Sequence, residues 1–141
     1  MSHDDSHNLL ACFPGYALRR AANAMMAELA TRLAVVEMRI SDASVLLLIG
    51  ERADMTSTEI GRILDIQRAN MVPLLNRLEE AGLIARLPLD RKSQAILLTS
   101  EGRSRLEQVH AITTAFEADL LARIPAVHRH HLLPALQALW A

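Results

Sequence analysis

Thr56-Ser57-Thr58-Glu59-Ile60-Gly61-Arg62-Ile63-Leu64 passes through Asp65-Ile66-Gln67 into Arg68-Ala69-Asn70-Met71-Val72-Pro73-Leu74-Leu75-Asn76-Arg77-Leu78-Glu79-Glu80-Ala81-Gly82. The first segment opens on a capping-box pattern, with the Thr56 hydroxyl set to accept from the Glu59 amide and the Glu59 carboxylate set to reach back. Ile60, Ile63 and Leu64 then give a short helix one apolar face. After the break at 65–67, Met71, Leu74, Leu75 and Leu78 restart the helical period, and Gly82 suits a left-handed C-cap. Ile84 to Pro88 and Gln94 to Thr99 follow as extended segments around the polar turn 89–93, which reads as a β-hairpin.

Outward from this centre the pattern stays helical. Leu18, Ala22, Met25, Met26, Leu29 and Leu33 recur at steps of three and four, with Pro14 suited to a first turn. Ser41 and Asp42 supply cap-type side chains before the run Val45 to Ile49, and that helix ends near Gly50. Beyond the hairpin, Leu106, Val109, Ile112, Phe116 and Leu120 mark a long helix opened at Thr99-Ser100-Glu101-Gly102. Pro125 separates it from a last helix expected to carry Leu132, Leu133, Leu136, Leu139 and Trp140 on its inner side, with Pro134 in its first turns.

At 141 residues the chain suits one domain, and 51% hydrophobic against 22% charged residues excludes a disordered or fibrous class. The run Val45 to Ile49 is far short of the ~18 to 20 apolar residues of a membrane span, and the polar, acidic start Met1 to His7 lacks the form of a secretory leader. A cytoplasmic protein is expected. Cys12, the sole cysteine, excludes an intrachain disulfide and a cysteine-only zinc knuckle. A net charge of -1 offers no bulk signal for nucleic acid, so the placement of cations decides.

Helix, tight turn, helix and hairpin is the order of a winged helix-turn-helix, whose second helix enters the DNA major groove. With Met71, Leu74, Leu75 and Leu78 inward, the outer face carries Gln67, Arg68, Asn70, Pro73, Asn76 and Arg77. Arg, Asn and Gln are the side chains whose forked groups match guanine and adenine edges. From Arg86 to Lys92 the cations Arg86, Arg91 and Lys92 face Asp90 alone, which makes the hairpin a basic wing. Pro73 removes a bond to the Ala69 carbonyl, so a bend is expected there unless 68–72 is merely a first turn.

Residues Thr56 through Gly102 resemble the multiple-antibiotic-resistance-regulator (MarR) family of winged-helix repressors. The likeness lies in 56–64 as positioning helix, in 67–84 as recognition helix, and above all in Asp90-Arg91-Lys92 followed by Leu98-Thr99-Ser100-Glu101-Gly102. The resemblance implies one mainly helical domain over 1–141, with dimerisation helices at 9–36 and 100–141 and the winged helix-turn-helix at 42–99. It implies a homodimer on a near-palindromic double-stranded operator, touched by Thr56, Gln67, Arg68, Ala69, Asn70, Pro73, Asn76, Arg77, Arg86, Asp90, Arg91 and Lys92. Arg91 would enter the minor groove with Asp90 bracing it. Lys92 stands where the family usually has a second Arg and keeps the charge without the planar fork.

The same likeness implies release from DNA by a small, often aromatic or anionic, effector, with Tyr16, Arg20, Met26, Arg39, Leu47 and His110 as candidate lining. Leu10-Ala11-Cys12-Phe13 is similar to the sensing segment of peroxide-responsive members, which makes a thiol switch at Cys12 an alternative. His128, His130 and His131, and His3 with His7, raise metal sensing, but lack the convergent ligands a dedicated site needs. No metal or cofactor is expected. Nor does any phosphate loop, nucleophile elbow or His-Glu-x-x-His favour an enzyme. A winged helix used for protein contact alone is the remaining alternative.

Overall fold

The computed structural model describes residues 9–141. A 3-10 turn over Leu9–Cys12 leads into helix α1 (Pro14–Ala34), followed by α2 (Ile40–Ile49), α3 (Ser57–Leu64) and α4 (Arg68–Glu80). Strands β1 (Ile84–Pro88) and β2 (Gln94–Leu98) precede α5 (Ser100–Arg123), a 3-10 turn over Ala126–His128, and α6 (Arg129–Gln137). This is the expected order: a mainly helical chain with one hairpin.

Local chemistry moves several boundaries. Cys12 lies in the 3-10 turn rather than at the start of α1, because Pro14 occupies the first helical position and holds Phe13 extended at φ -96 and ψ 118. Helix α2 begins at Ile40, earlier than expected. Its cap works from inside, as the Arg39 N–H donates to Asp42 Oδ2 at 3.0 Å. The capping box at α3 is half formed: Thr56 Oγ1 accepts from the Glu59 N–H at 3.3 Å, but the Glu59 carboxylate turns to Arg52 Nη2 at 3.5 Å. A nearby guanidinium outcompetes a neutral amide for that carboxylate.

The α3–α4 turn is tight because Asp65 takes a left-handed conformation (φ 54, ψ 47) and the Ile66 N–H donates to the Gly61 carbonyl at 2.8 Å. A Cβ on Gly61 would stand 3.0 Å from the Ile66 carbonyl oxygen and 3.2 Å from Met71 Cγ, so any larger residue would have to push these neighbours back by a few tenths of an ångström. Helix α4 continues through Pro73 to Glu80. Gly82 takes φ 76, as expected of the C-cap, and the Leu83 N–H donates to the Leu78 carbonyl at 3.0 Å.

The hairpin pairs antiparallel from Ile84 with Leu98 to Pro88 with Gln94. Its inner edge is pinned to the helices, since the Ile96 N–H donates to the Met55 carbonyl at 2.8 Å and Thr56 bridges to Ala95. Thr99 belongs to the next helix: its hydroxyl donates to the Gly82 carbonyl at 2.6 Å and accepts from the Gly102 N–H at 3.0 Å. The wing and α5 therefore leave the core from one fixed point.

Among the described residues the buried apolar side chains outside Met38–Ile96 are Leu29, Leu33, Val109 and Phe116. The expected inner face of the last helix is not buried. Leu132 and Leu136 are half-buried, Leu133 is 61% exposed, and Leu139 and Trp140, beyond the end of α6, are 66% and 72% exposed. The apolar pattern is real, but among the described residues none of α6 is fully buried. No described helix is long and apolar enough to cross a membrane.

Candidate nucleic-acid interface

Burial of Met71, Leu74, Leu75 and Leu78 turns the opposite side of α4 to solvent. Arg68, Ala69, Asn70, Val72, Pro73 and Asn76 are exposed on it, and Gln67 is exposed just before its first turn. Between α3, α4 and the wing runs a cleft of about 950 Å³ that brings together Thr56, Gln67, Arg68, Arg86, Asp90, Arg91 and Lys92. Ala69, Asn70, Pro73, Asn76 and Arg77 are on α4 but do not line it. The cleft also takes in Ser57, Thr58, Arg62, Val72 and Gln94, which sequence reasoning did not single out. Arg62 was within reach of that reading, since it follows Glu59 by three on the polar side of α3.

Two of the expected DNA-facing cations are committed inside the protein. Arg77 Nη2 donates to Asp42 Oδ1 at 2.6 Å, and Asp42 is only 4% exposed. A buried carboxylate needs a counter-charge, and the half-exposed Arg77 supplies it. Arg86 Nη2 donates to Asn76 Oδ1 at 2.8 Å, and its Nε lies 3.3 Å from Glu79 Oε2. Arg86 thus ties the root of the wing to the end of α4. By contrast, Arg62, Arg68, Arg91 and Lys92 have no side-chain hydrogen bond or ion pair among the described residues.

Asp90 braces the wing tip, though not through the Arg91 side chain. Its Oδ1 accepts from the Lys92 N–H at 2.8 Å and the Ser93 N–H at 2.9 Å. The Lys92 amide first, then the Ser93 side chain and amide, hold the Asp90 carboxyl below the usual aspartate range. The carboxylate charge is spent on its own loop, and Arg91 and Lys92 are exposed beside it.

A second cavity, about 590 Å³, lies among α1, α2 and the end of α3. Met26, Ala30 and Ala34 of α1 face Ile40, Ser41 and Ser44 of α2, with Met38, Arg39, Leu64 and Ile66 completing the wall. Of the expected effector-lining residues, Met26 and Arg39 meet here. Leu47 instead packs against the core and His110 is exposed on α5. Tyr16 and Arg20 occupy each other, the Arg20 Nη1 donating to the Tyr16 hydroxyl at 3.0 Å.

Cys12 is exposed. The His130 and His131 rings lie 3.8 Å apart, but no group of three His, Cys, Asp or Glu among the described residues is arranged to hold a metal. His3 and His7 lie outside the described residues.

Residues 38–93, from the start of α2 through the wing tip, match the family model described as MarR family. The chain is 27% identical over 128 residues to the HTH-type transcriptional repressor Rv2887 of Mycobacterium tuberculosis, covering 89% of this chain and 91% of that protein. Its fold superposes on CouR from Rhodococcus jostii RHA1 bound to p-coumaroyl-CoA with a TM-score of 0.83, at 25% identity and 94% coverage of each chain. It also superposes on the transcriptional repressor CouR bound to a 23-mer DNA duplex with a TM-score of 0.82, at 29% identity, covering 98% of this chain and 96% of that one. These likenesses extend beyond the winged helix into both terminal helices, while the MarR family model itself matches the centre of the chain, residues 38–93.

Proposed function

We propose that this protein is a homodimeric transcriptional repressor that reads a near-palindromic double-stranded DNA through α4, grips flanking backbone with its wing, and lets go when an effector fills the α1–α2–α3 cavity. The observation that carries this reading is the gathering of Arg62, Arg68, Arg91 and Lys92, none with a side-chain partner among the described residues, around one cleft of a chain whose net charge is -1. Arg68 at the start of α4 has the fork that matches a guanine edge, while Arg91 and Lys92 on the wing suit phosphate or the minor groove. The CouR and Rv2887 relatives, one solved on a DNA duplex and the other named a repressor, support the same reading.

The effector cavity has the volume of a small-molecule site and a mostly aliphatic wall. Arg39 is its charged residue and no carboxylate among the described residues lines it, which favours an anionic ligand such as an aryl carboxylate or its coenzyme A thioester. The solved complexes of Rv2887 with salicylic acid and of CouR with p-coumaroyl-CoA point to that class. A route to the DNA face is built in. Asp42 holds the Arg39 N–H at the cavity rim with one oxygen and Arg77 of α4 with the other. A ligand that displaces the Arg39 segment therefore pulls on the helix that reads DNA.

Selection from a random duplex pool by the purified protein, with enriched sites retested at two salt concentrations, tests the proposal. The expected result is a two-fold symmetric motif whose affinity falls steeply with salt, at ~0.9 in log–log slope for each phosphate neutralised. Absence of any enrichment at low salt rejects the DNA reading and leaves a protein-contact role.

A further inference from the structure

The outward face of α4 from Gln67 to Asn76 is polar apart from the small Ala69 and one bulkier apolar site. Val72 is 56% exposed there, and the exposed Pro73 follows it. Two local preferences oppose a valine at this position. A β-branched side chain loses χ1 freedom in a helix, and an isopropyl group in water is stabilised by nothing. Alanine or lysine would suit an ordinary solvated helix face better. A single exposed apolar residue is unremarkable by itself. This one lines the cleft where Arg62, Arg68, Arg91 and Lys92 gather, one helical turn from Arg68. Local rules broken at the centre of a functional face mark residues kept for what they contact.

Resting on the DNA-reading proposal above, we infer that Val72 is a specificity-determining residue of α4 whose isopropyl group packs against the C5-methyl of a thymine in each half-site. The thymine methyl is the apolar marker of the major groove and distinguishes thymine from cytosine at the same position. Valine suits the task because its stiff χ1 presents two methyl groups with little rotamer freedom left to lose. Arg68, a turn away on the same face, supplies the polar fork beside it, so one turn of α4 combines a hydrogen-bonding and an apolar reader.

The test replaces each thymine of the selected duplex in turn by deoxyuridine, which removes the methyl and leaves base pairing intact. Binding by the full chain is expected to weaken about fourfold at one position of each half-site, the worth of one buried methyl-sized group. Val72→Ala is expected to weaken binding to the unmodified duplex by a similar factor and to become indifferent to thymine or deoxyuridine at that position. It should still respond to base changes elsewhere. Because Val72 is exposed, the variant should melt with the wild type, and Val72→Thr, isosteric but with one methyl exchanged for hydroxyl, gives a second reading of the same contact. A methyl scan that is flat on a tightly bound duplex, or a Val72→Ala protein that keeps the full methyl penalty, overturns the inference while DNA reading stands. Failure to bind any duplex specifically overturns both.

Discussion

Between Met38 and Ile96 the chain buries Val45, Leu46, Met55, Ile60, Met71, Leu75 and Ile96 almost completely. In α1 only Leu29 and Leu33 are buried, and in α6 no residue is. The two regions have similar apolar periodicity in sequence and opposite fates in the folded chain. The winged helix closes on itself because three helices and a hairpin surround one volume. The terminal helices pack on it along only part of their apolar surface, and Phe13, Leu18, Val127, Leu133, Leu139 and Trp140 stay exposed. An apolar surface of this extent marks association, and the proposed second copy of the chain would cover it.

The sharpest way to break that contrast is to charge the open face. Leu133→Asp puts a carboxylate into the proposed interface twice, once from each protomer, and each unpaired charge so buried costs on the order of 3 to 5 kcal/mol. Sedimentation equilibrium should show wild-type dimer and variant monomer, with α-helical content nearly retained. A variant that sediments like the wild type would mean that α6 faces solvent in the working protein. Leu46→Ala is the matching cut in the closed region, since Leu46 is fully buried. It should lower unfolding free energy by about 2 to 5 kcal/mol in urea titrations, with the dimer contact surface untouched.

How far each region was readable follows from the same geometry. Helix order, the left-handed Gly82 and the wing turn are local matters, settled by spacing over a few residues. Pairings between distant residues were not readable. Asp42 looked like a simple cap, and its bond to Arg77 joins positions 35 apart. Arg86 looked like a free wing cation until Asn76 and Glu79 came alongside it. Periodicity identified an apolar side of the last helix without saying whether this chain or another would cover it.

Two smaller cuts separate readers from struts inside the interface. Arg68→Ala should weaken specific binding by ~1 to 3 kcal/mol and relax base preference at one position, if its fork meets a guanine edge. Equal loss on every sequence, seen in competition binding, would reassign it to phosphate. Arg77→Ala should act first on stability. It strips the buried Asp42 of its counter-charge, but the Arg77 side chain is 38% exposed, so solvent screening reduces the cost to about 1 to 2 kcal/mol. Its DNA affinity should fall through misplacement of α4, with base preference unchanged. A changed preference would show that Arg77 reaches the bases after all.

The wing tip offers the smallest effect and a purely local one. Asp90 is held below the ordinary aspartate range by the amides of Lys92 and Ser93, so its contribution to loop order is complete above the unfolded-state pKa. It is lost as pH falls through the lowered folded-state value, because the protonated carboxyl accepts those N–H groups poorly. The Lys92 and Ser93 amide resonances should therefore titrate at a more acidic midpoint than an aspartate in an unstructured peptide, while signals from the closed core stay fixed. Asp90→Asn keeps a neutral acceptor in place and should abolish that acid transition without collapsing the turn. A midpoint equal to the free peptide's would mean that the loop does not hold the carboxylate, and that Arg91 and Lys92 are presented by a tip with no preset shape.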